Sequence, residues 1–175
     1  MSTLFYTQID DSPVGPLLLA GDHDALHVLS FGVAPAGGRQ KLQASRAREI
    51  DASWQPDTKG VLKHVRKELD HYFAGRLKRF STPVAFRGTP FQNSVWQELQ
   101  RIPYGETISY LELAKRIDNQ KAVRAVGMAN GANPVAIIVP CHRVIGSNGS
   151  LTGFGGGLPT KRALLELEKG QRTLL

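Results

Sequence analysis

The stretch SYLELAKRIDNQKAVRAVGMANG, residues 109–131, decides how the second half of this chain folds. It opens with Ser109-Tyr110-Leu111-Glu112, a capping-box pattern in which a serine and a glutamate three residues on satisfy each other's backbone amides. A helix therefore starts at Tyr110 and runs to about Ile117. Asp118-Asn119-Gln120 is turn chemistry, and a second helix follows from Lys121 to about Gly131. Two short helices around a tight turn outline a helix-turn-helix, although an ordinary αα-hairpin has the same outline. The second helix tips the balance. Ala122, Ala125, Gly127, Ala129, Gly131 and Ala132 let a backbone approach a partner closely, and only Lys121, Arg124 and Asn130 can reach into a groove. A helix that reads base edges displays several Arg, Gln or Asn side chains, so this one suits close contact with little sequence discrimination.

Outward from that core, Thr89-Pro90-Phe91-Gln92 is a further capping box with proline at the first helical position. Phe91, Val95, Trp96, Leu99 and Ile102 make its apolar stripe, which Pro103 ends. A last helix starts near Pro159, carries Leu164, Leu165 and Leu167, and stops at Gly170. The first half alternates short apolar runs, Leu4–Ile9, Pro16–Ala20 and Leu26–Phe31, with turn residues, which predicts an antiparallel meander. Residues 34–58 read as a long polar loop with some helix. Lys59–Ala74 reads as a helix burying Val61, Leu62, Val65, Leu69, Tyr72 and Phe73, stopped by Gly75 and packed on the second half. Trp54 and Trp96 are expected in the core. The fold class is α+β.

The chain has 175 residues, 41% hydrophobic and 21% charged, which suits one compact unit or two small ones and excludes a disordered chain. No apolar run approaches the ~20 residues of a membrane helix, and no secretory signal is visible, so a cytoplasmic protein without membrane partners is expected. The net charge of +7 is uneven: residues 1–86 carry 11 Lys/Arg against 9 Asp/Glu, and residues 87–175 carry 11 against 6. The second half is thus the surface for an anionic partner. A single cysteine excludes an internal disulfide framework and a multi-cysteine zinc site. His23, His27, His64 and His71 read as surface or partly buried histidines, and no metal is expected. The glycines at 153–157 lack the pattern of a phosphate loop, so no nucleotide cofactor is expected.

That one cysteine lies in Pro140-Cys141-His142-Arg143, after the apolar run Val135–Val139. Lone cysteines are mostly inert small hydrophobes. Here the thiol has an imidazole and a guanidinium beside it, the surroundings that raise the thiolate fraction of a group whose ordinary pKa is ~8.5. A Cys-His pair is an activated nucleophile, and its spacing does not separate acyl transfer from alkyl transfer.

With Asn133-Pro134 ahead of it, Pro140–Val144 resembles the active-site signature of the O6-alkylguanine-DNA alkyltransferases, or methylated-DNA–protein-cysteine methyltransferases. The resemblance extends through Gly105–Tyr110, Ala122–Gly127 and Gly153–Leu158, covers residues 88–170, and fits the freestanding bacterial type. It implies a small N-terminal sheet-and-helix domain, 1–82, and a C-terminal winged helix-turn-helix domain, 88–175. It implies direct DNA repair by a stoichiometric transferase that moves a methyl or larger alkyl group from O6-alkylguanine, and from O4-alkylthymine, irreversibly to its own cysteine. The partner is double-stranded DNA carrying the lesion, no cofactor is needed, and the chain acts as a monomer with the option of self-association on DNA.

The same resemblance assigns roles. Cys141 is the acceptor, His142 its base through a water, and Glu168 orients that imidazole; read without the resemblance, Glu168 is a solvated helix-face glutamate. Tyr110 donates a proton to the leaving base, or is simply a core or cap aromatic. Arg124 fills the gap left by an extruded nucleotide, or contacts phosphate, with Lys121 and Ala125 beside it on the DNA-facing helix. Asn133 ties that helix to the cysteine segment. Pro140, Val144, Phe154, Gly155 and Gly156 wall the base pocket. Phe154 and Gly155 stand where relatives carry tyrosine and another small residue, and the glycine run predicts a pocket that tolerates groups larger than methyl, benzyl included. Two other classes share parts of this pattern: binding-only lesion sensors, which replace the cysteine, and winged-helix regulators, which have no use for Pro140–Val144.

Overall fold

A computed structural model describes residues 2–32 and 51–171. The meander is present as β1 (Phe5–Ile9), β2 (Leu17–Gly21) and β3 (Leu26–Phe31), antiparallel with Ile9 opposite Leu17 and Leu17 opposite Phe31. A two-residue strand, β4 (Gln55–Pro56), adds to β1 in parallel and gives the order β3-β2-β1-β4, so the sheet is not wholly antiparallel as expected. Residues 34–50 of the expected polar loop lie outside the described residues. Trp54, beside β4, is half-buried rather than in the core, whereas Trp96 is buried and donates to the carbonyl of Ala129 at 2.8 Å.

Helix α1 (Lys63–Phe73) begins four residues later than the apolar pattern suggests. Gly60 takes φ +76°, and the Asp57 carboxylate accepts from the amides of Val61 and Leu62, 2.8 Å each, so those residues form the entry turn. Gly75, at φ +71°, ends the helix as expected. Helix α2 (Pro90–Leu99) starts with the full Thr89/Gln92 capping box and stops before Ile102, which remains buried. The second capping box is only half formed. Ser109 Oγ accepts from the Glu112 amide at 3.0 Å, while the Glu112 carboxylate accepts from Arg116 Nε at 3.2 Å.

Strand β5 (Ile108–Ser109) runs into helix α3 (Tyr110–Arg116) and pairs in parallel with β6 (Val144–Ile145), just past the cysteine. The turn after α3 is made by Asp118 at φ +55°, and a 3-10 turn, Gln120–Ala122, precedes α4 (Val123–Gly131). The second helix proper therefore starts two residues later than Lys121. Helix α5 (Leu158–Glu168) is the last element among the described residues. No helix among the described residues is long and apolar enough to cross a membrane.

The two halves share one core. Leu17, Leu29, Leu69 and Tyr72 from the first half pack with Val95, Leu99, Val135 and Leu164 from the second. The backbone joins them as well: the Leu29 amide donates to Pro134 O and the Ala136 amide to Leu29 O, both at 2.9 Å. The sheet edge therefore holds the segment that leads into the cysteine.

Candidate active site

Val135–Val139 is buried except at Ile138, which is half-buried, and forms no strand of its own. Ile137 sits at φ +69°, with the Ile138 amide donating to Ala136 O at 2.8 Å, a tight three-residue turn that a β-branched residue adopts only under strain. Pro140, at φ −82° and ψ 63°, makes a second such turn, with the Cys141 amide on Val139 O at 2.8 Å. Asn133 clamps the first turn: its Nδ2 donates to Val139 O at 2.7 Å and its Oδ1 accepts from the Val135 amide at 3.0 Å. A side chain at the end of α4 thus holds the strained lead-in to the thiol.

Cys141, His142 and Arg143 form one 3-10 turn, all buried. His142 Nε2 stands 2.7 Å from Glu168 Oε1, and both side chains are sealed from solvent. That bond puts the neutral imidazole's proton on Nε2 and leaves Nδ1, which has no protein partner among the described residues, free to accept. Glu168 also takes a fork from Arg143, Nε to Oε2 at 2.8 Å and Nη2 to Oε1 at 2.9 Å, while Arg143 Nη1 donates to Ile102 O at 2.6 Å. The Gly105 amide adds a bond to Oε2 at 3.3 Å, and a Cβ at Gly105 would come within 3.1 Å of the Glu168 carbonyl oxygen. Burial works against the Glu168 carboxylate, but the bonds and charges of His142 and Arg143 outweigh it and hold the group well below the usual carboxylate range. Burial pushes the His142 imidazole down and the Cys141 thiol up; Asn133 and the charge of Lys161 oppose the latter.

Lys161 is fully buried, its Nζ donating to Val144 O at 2.6 Å and Thr152 O at 3.1 Å, and burial brings its pKa down to about 8. Sequence reasoning passed over it, yet a signal was present. Lys161, Leu164, Leu165 and Glu168 share one face of α5 by helical spacing, so the stripe that buries the leucines buries both charges. Tyr72 is the core aromatic that the α1 stripe predicts, but its hydroxyl donates to Glu168 Oε1 at 2.7 Å, and nothing in the spacing of α1 marks that bond.

Cys141 lines a small cavity together with Ser30, Asn130, Ala136, Phe154 and Gly155. The wall from β3 is an addition to the expected set. Of the residues read as pocket walls, Phe154 and Gly155 line this cavity, and the Phe154 ring packs on Phe31 with centroids 5.3 Å apart. Gly156 lies behind that wall, where a Cβ would come 2.8 Å from the Phe31 ring. Val144 is wholly buried in β6, and Pro140 lines a separate basic groove with Arg101 and Arg143. Tyr110 donates to Thr152 O at 3.0 Å, and burial raises its pKa. Lys121, in the 3-10 turn before α4, and Arg124, Ala125 and Met128 on α4 are exposed. Asn130 is not on that outer face; it is 2% exposed and turns inward, Nδ2 to Cys141 O at 3.4 Å. Among the described residues no group of three or more His, Cys, Asp or Glu could hold a metal.

Comparison with known proteins agrees across the chain. Residues 4–86 match the family described as 6-O-methylguanine DNA methyltransferase, ribonuclease-like domain, and residues 90–170 match its DNA binding domain. A methylated-DNA–protein-cysteine methyltransferase of Methanosarcina acetivorans is 49% identical over 93% of this chain and 97% of its own length. One from Mycobacterium tuberculosis H37Rv is 50% identical over 92% and 90%. The crystal structure of M. tuberculosis OGT in complex with DNA superposes with a TM-score of 0.81 at 48% identity, covering 95% of this chain and 94% of that one.

Proposed function

Since this chain belongs to the 6-O-methylguanine DNA methyltransferase family, we propose that it repairs DNA by moving an alkyl group from O6-alkylguanine in a duplex to Cys141. The observation that carries the reading is the opening of the buried thiol onto a cavity, with a His142–Glu168 pair directly behind it. The thiol proton passes through a water to His142 Nδ1, and the imidazolium is held by Glu168. Sγ then attacks the alkyl carbon in line, the S–C bond forms, and the C–O6 bond breaks. Tyr110 gives a proton to the base as negative charge develops on it; its raised pKa keeps that proton available until then. Lesion access requires extrusion of the nucleotide, with Arg124 taking its place in the stack and Lys121 and Ala125 against the backbone. Asn133 keeps α4 and the thiol segment in register, and Phe154 with Gly155 admits the base.

The product is a thioether, and this chain has no second cysteine to remove it, so each molecule acts once. The protein works as a monomer on duplex DNA, bound largely through Lys/Arg contacts to phosphate. The test is the peptide mass of excess protein after reaction with a duplex holding one O6-methylguanine. A single methyl on the Cys141 peptide, equal in amount to lesion consumed, supports direct repair; binding with no mass change moves the chain to lesion sensing.

A further inference from the structure

Tyr72 is 0% exposed, and its neighbour Phe73 fills the same core without a hydroxyl. A buried phenol oxygen is costly unless it is bonded, so a tyrosine at this position needs a partner. That partner is Glu168 Oε1, 2.7 Å away and 96 residues on in the sequence. The ring is gripped by Phe73, Phe80 and Tyr104, with centroids 5.6, 5.3 and 6.2 Å distant, so the hydroxyl is delivered rigidly.

The plane of Glu168 does not depend on Tyr72, because the Arg143 fork and the Gly105 amide already fix it. What Tyr72 reaches is the one oxygen that faces His142 Nε2. Donors that share an acceptor draw on the same electron density, so each weakens the hold of the others. We propose that Tyr72 is a positioning residue for the transfer, which from the other half of the chain restrains Glu168 Oε1 and so sets how tightly His142 keeps the proton it takes from Cys141. This rests on the relay read above. It makes the first half part of the reaction centre rather than a scaffold for it.

The charged and titratable groups around the bond are His142 and Arg143 from the thiol turn, Tyr104 from the loop after α2, Lys161 on α5, and Lys78 beyond the Tyr104 ring. Burial foremost, and then Glu168, pushes the Tyr72 phenol well above its ordinary range, so it donates throughout the working range. Tyr104 likewise stays protonated, and Lys161, at about 8, titrates on the alkaline side. The acid limb of thiol reactivity therefore reports the coupled Cys141–His142 pair.

The experiment uses the full chain and iodoacetamide, which the thiolate attacks with loss of iodide. Carbamidomethylation of Cys141 is followed by mass from about pH 5 to 9 in wild type and Tyr72→Phe, with Tm recorded alongside. With one donor removed, Oε1 holds the imidazolium more strongly, so His142 keeps a proton to higher pH: the acid limb moves up by about half a pH unit, and alkylation on the plateau above it becomes about 3-fold faster as more of the pair stands as thiolate and imidazolium. An unmoved or downward-shifted limb, whatever the change in Tm, overturns the proposal. In a Glu168→Gln background the Tyr72→Phe shift disappears; its persistence shows action by another route and also overturns it. Methyl transfer from an O6-methylguanine duplex is scored separately, so loss of that reaction with an intact limb shift counts against the repair reading alone.

Discussion

His142 Nε2 and Glu168 Oε1 lie 2.7 Å apart with neither side chain reached by solvent, and Arg143 closes the other side of the same carboxylate. A carboxylate so placed has two tasks. In the proposed relay it stabilises the imidazolium during transfer, and it neutralises the Arg143 guanidinium.

Glu168→Gln is expected to lose both. Methyl transfer falls by about 10²–10⁴, the usual weight of a general acid–base arrangement. Stability falls by about 3–5 kcal/mol, because Arg143 is left as a buried charge without compensation. Single-turnover transfer and denaturant titration of the same variant separate the two effects.

Stability should fall on acidification in two stages. The unfolded chain protonates His142 near its ordinary 6.5, while the folded chain resists, so the unfolded state binds more protons below that pH. Glu168 adds a second loss below 4.5, as pH falls toward its depressed folded value. On the alkaline side Cys141 acts oppositely: its raised folded pKa means the unfolded chain loses that proton first, and stability declines above about 9. Urea midpoints across the range check the signs, and Glu168→Gln should flatten the lower stage.

Lys161→Met removes the cation whose charge lowers the Cys141 pKa and leaves the carbonyls of Val144 and Thr152 short of a donor. The expected outcome is slower iodoacetamide alkylation at neutral pH, by several-fold, and a stability loss of about 2 kcal/mol. A variant that alkylates at the wild-type rate would show that the charge does not act on the thiol.

No atom lies within 4 Å of where a Cβ would stand at Gly153 or Gly155, which leaves the mouth of the cavity open. Methyl and benzyl adducts of guanine O6 in a duplex should therefore transfer at comparable rates. Refusal of benzyl, scored by peptide mass, would sink this expectation.

Read alone, the sequence settles the starts of α2 and α3, the three-strand meander and the turn at Pro140–Arg143, because capping, turn chemistry and apolar periodicity act over a few residues. Thr89 with Gln92, Gly75, and Pro140 ahead of Cys141 needed no distant partner to be read. It misplaced features whose cause is not local. Gly60 and Asp57 delayed α1, β4 joined β1 in parallel, and Asn130 turned inward to Cys141 instead of outward on α4.

Which polar atoms meet is settled by packing between distant segments. Glu168 accepts from Tyr72, Gly105, His142 and Arg143, residues drawn from three separate stretches of chain, and Lys161 finds its acceptors in β6 and the loop after it. Periodicity shows that a residue is buried, but not which group satisfies it. A buried charge must be met by whatever donors the packed core brings to it, and that is a property of the assembled chain.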